Sequence, residues 1–535
     1  MRPMRRPFPL LLLALAASAL PVHGATCALD GGPAATLLLP YFEVDLANPN
    51  GRTTLFSVNN AGTDAVLAHV VLWTDVGVPT LAFDVFLTGY DLQTINLRDV
   101  FQGRLPQTAD AARDLEDLIS PRGDVSRDGT FPNCGILPLP VVPSSLLEDV
   151  RRAHAGMPAA IFDNKCAGLW FGQPTVVRGY ATIDVAKACS AMRPGDPGYF
   201  GPNGVAGFDN VLWGDFFYVD PAGRFAQGDS LVRIEADPER FGAGDATFYA
   251  RWVDGSGADA REPLARLWAS RFINGGTFTA GTHLVGWRDG PWTHQPFSCL
   301  QSPAFPPGVP ETQKELLVFD EEEEVYDLTS PPTCPFECPP QIVPTPFPAA
   351  ATLVAVGGAD LPVPFDFGWL LTDLGVQQDG VDDPWAQSWV GQIHSAAERF
   401  SVGFAGTQLD SVCPPGRCSE GQEAVVGELC VVGPLAVGQP ARFTVRPQGC
   451  FSSSCTVIHQ AGCAVEDDGP TLRLDALFCL QPSTLPTPCT ADCNGGGVAQ
   501  CSSGALAAGA YTAQLGSLLL HFEVPGEGAC VGSAP

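Results

Sequence analysis

Lysine is nearly missing from this chain of 535 residues: Lys165, Lys187 and Lys314 are the only three. With arginine the basic total is 29, against 58 aspartates and glutamates, a formal charge of −29. Nucleic acid and anionic membrane both recruit proteins through basic surface, so neither is an expected partner. Beyond the N-terminus no apolar run approaches the about 20 residues that a membrane-crossing helix needs, so no transmembrane anchor is expected. Cys-x-x-Cys occurs nowhere among the 18 cysteines. That spacing lets two sulfurs converge from one tight turn, and its absence removes thioredoxin-type redox sites, c-type haem attachment and the usual zinc knuckles. A Walker loop, His-Glu-x-x-His and Gly-x-Ser-x-Gly are absent as well. No fixed-period repeat is visible, which argues against a propeller or solenoid.

What is present begins with "MRPMRRPFPLLLLALAASALPVHGATC". Arg2, Arg5 and Arg6 make a basic start, Leu10 to Leu20 is apolar but short, and small residues surround a cut after Gly24 or Ala25. This is the layout of a secretory signal, so residues 1–24 are expected to be removed on export. Loss of those three arginines takes the formal charge from −29 to −32. Thr26 stands where a bacterial lipobox carries a small residue before its cysteine, so Cys27 is not expected to bear a lipid. The expected location is periplasmic, cell-surface or extracellular.

Seven cysteines precede residue 400 and eleven crowd into 413–530. In an exported chain such density reads as a disulfide framework, each bridge contributing about 2–4 kcal/mol. The structural candidates are Cys334, Cys338, Cys413, Cys418, Cys430, Cys450, Cys455, Cys463, Cys479, Cys489, Cys493, Cys501 and Cys530. In "GCFSSSCTVIHQAGC" (449–463) His459 lies among three of them, as in a zinc site. The oxidising compartment favours a staple, and His459 follows the strand-like "TVI". Both cysteine counts are odd, so one bridge is expected to tie the two parts together.

The expected fold is mostly β: one or two antiparallel β-sandwich domains with two short helices, followed by a disulfide-rich β-domain. "ATLLLPYFEVDL", "RTTLFSVNN", "AVLAHVVLWTD", "TLAFDVFL" and "LQTINL" are short β-rich runs divided by "ANPNG", "NAGTD" and "DVGVP", which is sandwich punctuation. "TADAARDLEDLISP" and "SSLLEDVRRAHAG" read as helices, the second with a Ser145/Glu148 capping-box spacing and a stop at Gly156. Strands are expected again in "TVVRGYATIDV", "NVLWGDFFYVD", "SLVRIEA", "ATFYARWV" and "HLVGWRD". "TSPPTCPFECPPQIVPTPFP" (329–348) reads as an extended connector. The expected division is a sandwich with helical insertions over 25–205, a second β-rich domain over 206–411 that includes this connector, and a cysteine-rich β-domain over 412–535.

The runs "ATLLLPYFEVDL", "RTTLFSVNN", "LWGDFFYVDP", "ADAREPLARLWASRF", "VGWRD", "ELLVFDEEEE" and "LPVPFDFGWL" resemble a family of exported bacterial proteins of unknown function, over roughly 35–410. The cysteine-rich tail resembles C-terminal extensions of other exported bacterial proteins. The resemblance implies export and a β-rich fold, and it carries over no functional residue.

Few constellations could carry chemistry. "GDSL" (228–231) matches the nucleophile motif of a hydrolase family, but no histidine has an aspartate three residues before it, and a serine without a positioned base is only a hydroxyl. "FDEEEEVYD" (319–327), "QDGVDDP" (378–384) and "DVSRDG" (124–129) concentrate carboxylates without EF-hand spacing; a weak structural calcium is the most they suggest. Trp213, Trp252, Trp268, Trp287 and Trp292 could form an aromatic platform for sugar rings, though aromatics on strands usually pack cores. "RGD" (122–124) is too short to imply a receptor.

The function expected is therefore a non-catalytic exported protein, a cell-surface or extracellular structural or binding module with no cofactor. Two alternatives remain: a carbohydrate-binding protein using surface aromatics to hold a glycan or cell-surface component, and a secreted hydrolase. Protein recovered from outside the cytoplasm should lack about 24 residues by intact mass and take up no alkylating agent before reduction. Several free thiols, or metal carried with 412–535, would make 449–463 a metal site again.

Overall fold

The computed structural model describes residues 32–106, 121, 123, 125–137, 140–170, 172–238, 241, 245–290, 295–299, 315–328, 346–375, 377–378, 381–383, 385–396, 399–409, 426–448, 456–482, 498–516 and 518–532; for some residues of the last strands, His459 and Cys479 among them, it describes the backbone alone. The signal segment, the helix expected in 108–121 (apart from Pro121), most of the 329–348 connector and two residues of "RGD" lie outside these residues.

The chain is mostly β. Its first elements are β1 (Thr36–Asp45), β2 (Thr53–Asn60), β3 (Val66–Thr74), β4 (Pro79–Leu87), β5 (Leu92–Asn96), α1 (Leu97–Phe101), α2 (Ser144–His154), β6 (Val176–Ala186), β7 (Leu212–Trp213), β8 (Asp215–Asp220), β9 (Phe225–Ser230) and β10 (Val232–Ile234). They form two antiparallel sheets, β10-β1-β6-β3-β4 and β5-β2-β8-β9, with β7 also on β2. Next come β11 (Leu267–Ile273), β12 (Gly281–Asp289), β13 (Glu315–Phe319), β14 (Val325–Asp327), β15 (Ala351–Ala355), β16 (Phe367–Asp373), β17 (Gln377–Gln378), β18 (Val381–Asp382), β19 (Gln387–Ala396), β20 (Phe400–Ala405) and β21 (Thr407–Gln408). These make the sheets β14-β13-β16-β11-β21 and β15-β12-β19-β20, plus the small β17-β18 pair.

The sheet of β1, β3 and β6 is buried on both faces, which explains why "TLLLPYF" and "AHVVLW" read as continuous apolar runs instead of alternating ones. Leu37, Leu39, Phe42 and Val44 of β1 share one core with Phe56 and Val58 of β2 and with Phe101 and Val150 of the helices. On the opposite face Leu38, Tyr41, Trp73 and Tyr180 share a second core with Trp268, Leu284, Trp287 and Trp389. Trp73 lies directly across from Tyr180 in the β3–β6 register, and their rings stack at 5.6 Å. Each such side chain removed from water contributes about 1.5–3 kcal/mol.

A polar row crosses this apolar sheet. Thr36, Asp184, His69 and Asp84 stand opposite one another on β1, β6, β3 and β4, and all are buried. His69 Nδ1 meets Asp84 Oδ1 at 2.7 Å and Nε2 meets the Met192 carbonyl at 2.8 Å. Asp184 accepts from the Thr36, Tyr199 and Tyr249 hydroxyls, the last two at 2.7 and 3.0 Å. The fully buried Arg261 lies 3.3 Å from Asp184 Oδ1 and donates to Thr36 Oγ1 and to the carbonyls of Asp259 and Gly207. The run "ATFYARWV", expected as a strand, is instead a loop with a 3-10 turn at Ala250–Trp252. Thr247 and Tyr249 are held there by Asp259, and a straight strand could not also deliver the Tyr249 hydroxyl to Asp184.

The helix reading is refined. α2 stops as expected, with Gly156 just beyond it at φ +68°, a conformation glycine adopts without strain. Its start differs: Pro143 is the N-cap and no side chain caps it, so the Ser145/Glu148 box does not form. Beyond residue 206, β7 and β8 pair with β2, β9 pairs with β8, and β10 pairs with β1.

The last strands are β22 (Val426–Val432), β23 (Pro440–Pro447), β24 (Thr456–Asp468), β25 (Thr471–Pro482), β26 (Ala499–Ala505), β27 (Gly509–Leu515), β28 (Leu518–Val524) and β29 (Ala529–Gly532). They form the sheets β26-β23-β22-β29 and β24-β25-β27-β28 around a core of their own that includes Leu429, Phe443, Phe478 and Phe522.

Candidate functional site

The described disulfides are Cys134–Cys189, Cys166–Cys299, Cys430–Cys530 and Cys463–Cys501. Cys463 is thus a staple, while Cys450 and Cys455 lie outside the described residues. His459 is the extra residue of a bulge in β24, between Ile458 opposite Leu480 and Gln460 opposite Cys479. Cys334, Cys338, Cys413, Cys418, Cys489 and Cys493 also lie outside, as does the Cys479 side chain. No described bridge joins the two parts of the chain.

The other sequence candidates scatter. Ser230 is the exposed last residue of β9. Four of the described histidines are engaged elsewhere: His69 as above, His154 with Thr80 and the Arg178 carbonyl, His394 with Thr282, His521 with Thr512. Asp320 turns its carboxylate onto the amides of Glu322 and Glu324 in the β13–β14 turn, and Asp383 pairs with Arg251. Trp268 and Trp287 are buried in the second core. Trp252 packs on Trp73 and the Arg233 guanidinium covers Trp213 at 4.6 Å. Trp292 lies outside the described residues. These rings form no common exposed platform.

The structure instead assembles a site from residues that the sequence did not single out. β1 pairs Leu39 with Ala181 and Phe42 with Gly179, so it carries one residue more than β6 at Pro40–Tyr41. Proline has no N–H for the ladder and is tolerated at such a bulge. The extra residue switches the alternation: Leu37 and Leu39 before it, and Phe42 and Val44 after it, face the same core. Tyr41 and Glu43 are thereby turned to the other side, into a cleft of about 340 Å³.

One wall of the cleft comes from β2, β8 and the β8–β9 turn, with Arg52, Thr54, Tyr218, Asp220 and Arg224. The other comes from β12, β15, β19 and β20, with His283, Leu353, Ile393 and Phe400. The two walls are tied where β20 meets β9, the Ser401 hydroxyl donating to the Ala226 carbonyl at 2.8 Å. On the polar wall Glu43 Oε1 accepts from Arg52 at 3.0 Å, and Oε2 accepts from Arg178 at 2.8 Å and from the Tyr41 hydroxyl at 2.9 Å. Arg52 Nε also donates to Asp220 at 2.9 Å, and Asp220 accepts the Gly223 amide at 2.9 Å.

The electrostatics follow from this wiring. Burial alone would push Glu43 up, but Arg178 and Arg52 hold its carboxyl below the usual range. Asp220 is likewise held down, against burial, by the Gly223 amide and Arg52. Burial, then Glu43, pushes the Tyr41 phenol well up; burial, then Asp229, does the same to Tyr218. Burial and then Arg52 lower His283, so its ring enters the cleft neutral. The buried Tyr218 hydroxyl has no hydrogen-bond partner among the described residues.

Comparison with known proteins finds no matching family model, no matching curated protein and no matching solved structure.

Behind the cleft Arg178 also attracts Asp75, a buried carboxylate whose Oδ1 accepts the Leu169 amide at 3.0 Å while Oδ2 has no described partner. Burial raises it from 3.8 to about 7. A raised acid contributes its stability fully below 3.8 and loses it as pH rises through about 7. Asp75→Asn should remove that loss, gaining on the native protein by on the order of 3 kcal/mol between pH 4 and 8. Urea unfolding of both proteins across that range measures it; parallel pH profiles would refute the assignment.

Proposed function

We propose that this is a non-catalytic exported binding module whose ligand site is the cleft between the β2–β8 wall and the β12–β15–β19–β20 wall. The observation that carries the reading is the contrast between those walls. The carboxylates are locked by guanidiniums, a phenol and turn amides, with their proton affinity lowered, which suits charge complementarity and not proton transfer near neutral pH. Facing them is an apolar wall of Leu353, Ile393 and Phe400. Pockets of about 300–1,000 Å³ with few convergent polar groups on apolar walls bind small molecules. Four described disulfides, and the absence among the described residues of a helix long and apolar enough to cross a membrane, support export to an oxidising compartment.

Leu353 stands on the cleft wall with 37% of its surface exposed, so Leu353→Trp should block the cleft at little cost to the fold. In thermal unfolding with a panel of soluble oligosaccharides and short-chain amphiphiles, at least one compound should raise the midpoint by several degrees, a ligand at 100 times its Kd adding about 2.7 kcal/mol. Leu353→Trp should erase the shift and Ser230→Ala should not. A shift that survives Leu353→Trp, or ester turnover that Ser230→Ala abolishes, would overturn the reading.

A further inference from the structure

The ungratified groups of the cleft point to one ligand class. Arg52 commits Nε to Asp220 and Nη1 to Glu43, which leaves Nη2 with no described acceptor, and the side chain is 58% exposed. Arg224 is exposed in the β8–β9 turn and makes no ion pair with a described residue. The Tyr218 hydroxyl, beneath them, is shut off from solvent and has no hydrogen-bond partner among the described residues. These are donors. The acceptors beside them, Glu43 and Asp220, are already filled by Arg52, Arg178, the Tyr41 hydroxyl and the Gly223 amide. Within the lining two guanidiniums, Arg52 and Arg224, meet two carboxylates, Glu43 and Asp220, so in a chain of formal charge −29 the cleft is balanced in charge and its open hydrogen-bonding capacity lies with the donors.

The opposite wall offers no matching polar demand: Leu353, Ile393 and Phe400 are apolar. A sugar ring would present hydroxyl donors to guanidiniums that need acceptors and would leave that wall uncovered. A cation would meet Arg52 and Arg224. We infer that the cleft takes a free amphipathic anion, a small molecule with one carboxylate or sulfonate set against Arg224 and Arg52 and an apolar body laid on Leu353 and Phe400. The inference rests on the cleft being the ligand site and adds the ligand's charge and shape. Charge-assisted hydrogen bonds from guanidinium to an anion are the strong ones, while the apolar wall supplies affinity in proportion to the area covered.

Octanoate, octanol and octylammonium share one apolar body and differ in the head, so calorimetric titration of the full-length protein with each separates the two walls. Octanoate should bind at least about tenfold more tightly than octanol, one charge-assisted hydrogen bond being equivalent to that factor or more, and octylammonium should not bind. Arg224→Gln should weaken octanoate about tenfold and leave octanol unchanged. Arg224→Lys should restore most of the loss, which a merely structural role for Arg224 would not produce. Leu353→Trp should abolish binding of both. If octanol binds as well as octanoate, or Arg224→Gln changes nothing while Leu353→Trp still blocks binding, the anion assignment fails and the cleft reading stands. The anion assignment fails alone, too, if a neutral oligosaccharide binds instead and Leu353→Trp blocks it. If octanoate binds and Leu353→Trp leaves it untouched, or if no probe and no oligosaccharide binds, both fail.

Discussion

Asp184 is a carboxylate in the middle of a sheet covered on both faces, and its removal from water costs several kcal/mol unless it is answered in place. It is answered by Arg261 and the hydroxyls of Thr36, Tyr199 and Tyr249. These partners come from β1, from the loop before β7 and from the 247–262 segment, so satisfying one buried charge fixes three stretches of chain against one sheet. Arg261 in turn holds the Asp259 and Gly207 carbonyls, and Asp259 holds Thr247 and the Tyr249 amide. The segment that closes over the row then leads into β11 and the second core. The row is therefore the polar seam through which the β1–β6 sheet and the sheets of β11–β20 are packed as neighbours.

The cleft depends on that packing. Its polar wall is carried by β2 and β8, its floor by β1 beyond the Pro40–Tyr41 bulge, and its apolar wall by β12, β15, β19 and β20. None of these walls is a pocket alone. The same sheet that buries Leu37 and Phe42 on one side turns Tyr41 and Glu43 to the other, and a single extra residue in β1 makes the difference. Side chains placed from strands and locked by ion pairs are positioned more firmly than side chains on loops, which suits a site whose task is to recognise a shape and a charge.

Most strands were legible because short β-branched and aromatic runs stood between turn residues, and the burial of β1 and β3 on both faces was written in their nearly unbroken apolar runs. The failures were tertiary. "ATFYARWV" has strand composition, yet Thr247 and the Tyr249 amide are held by Asp259, and the Tyr249 hydroxyl answers to Asp184, 65 positions away. Ser145 and Glu148 have capping-box spacing, yet the helix begins at Ser144 with Pro143 as its N-cap. The site was harder still. Glu43, Arg52, Asp220 and Tyr218 are ordinary residues of strands and turns, joined across up to 168 positions of sequence, the separation of Arg52 and Asp220. The one local signal was the proline inside "LLLPYFEV", which breaks the alternation where the bulge forms. "GDSL" and the tryptophans drew attention for their chemistry, but their neighbours supply neither a base nor an exposed face.

The claim that one buried charge row joins the two cores is tested most directly by hydrogen exchange of the full-length protein, native and Arg261→Met, in increasing urea. Amides of β1 and β6 should lose protection together with those of β12 and β19 in the native protein. In the variant both sets should be weakened together, by about 3–5 kcal/mol, the cost of stranding a buried partner. Independent opening of the two sets in the native protein, or a variant within about 1 kcal/mol of it, well short of that cost, would contradict the account.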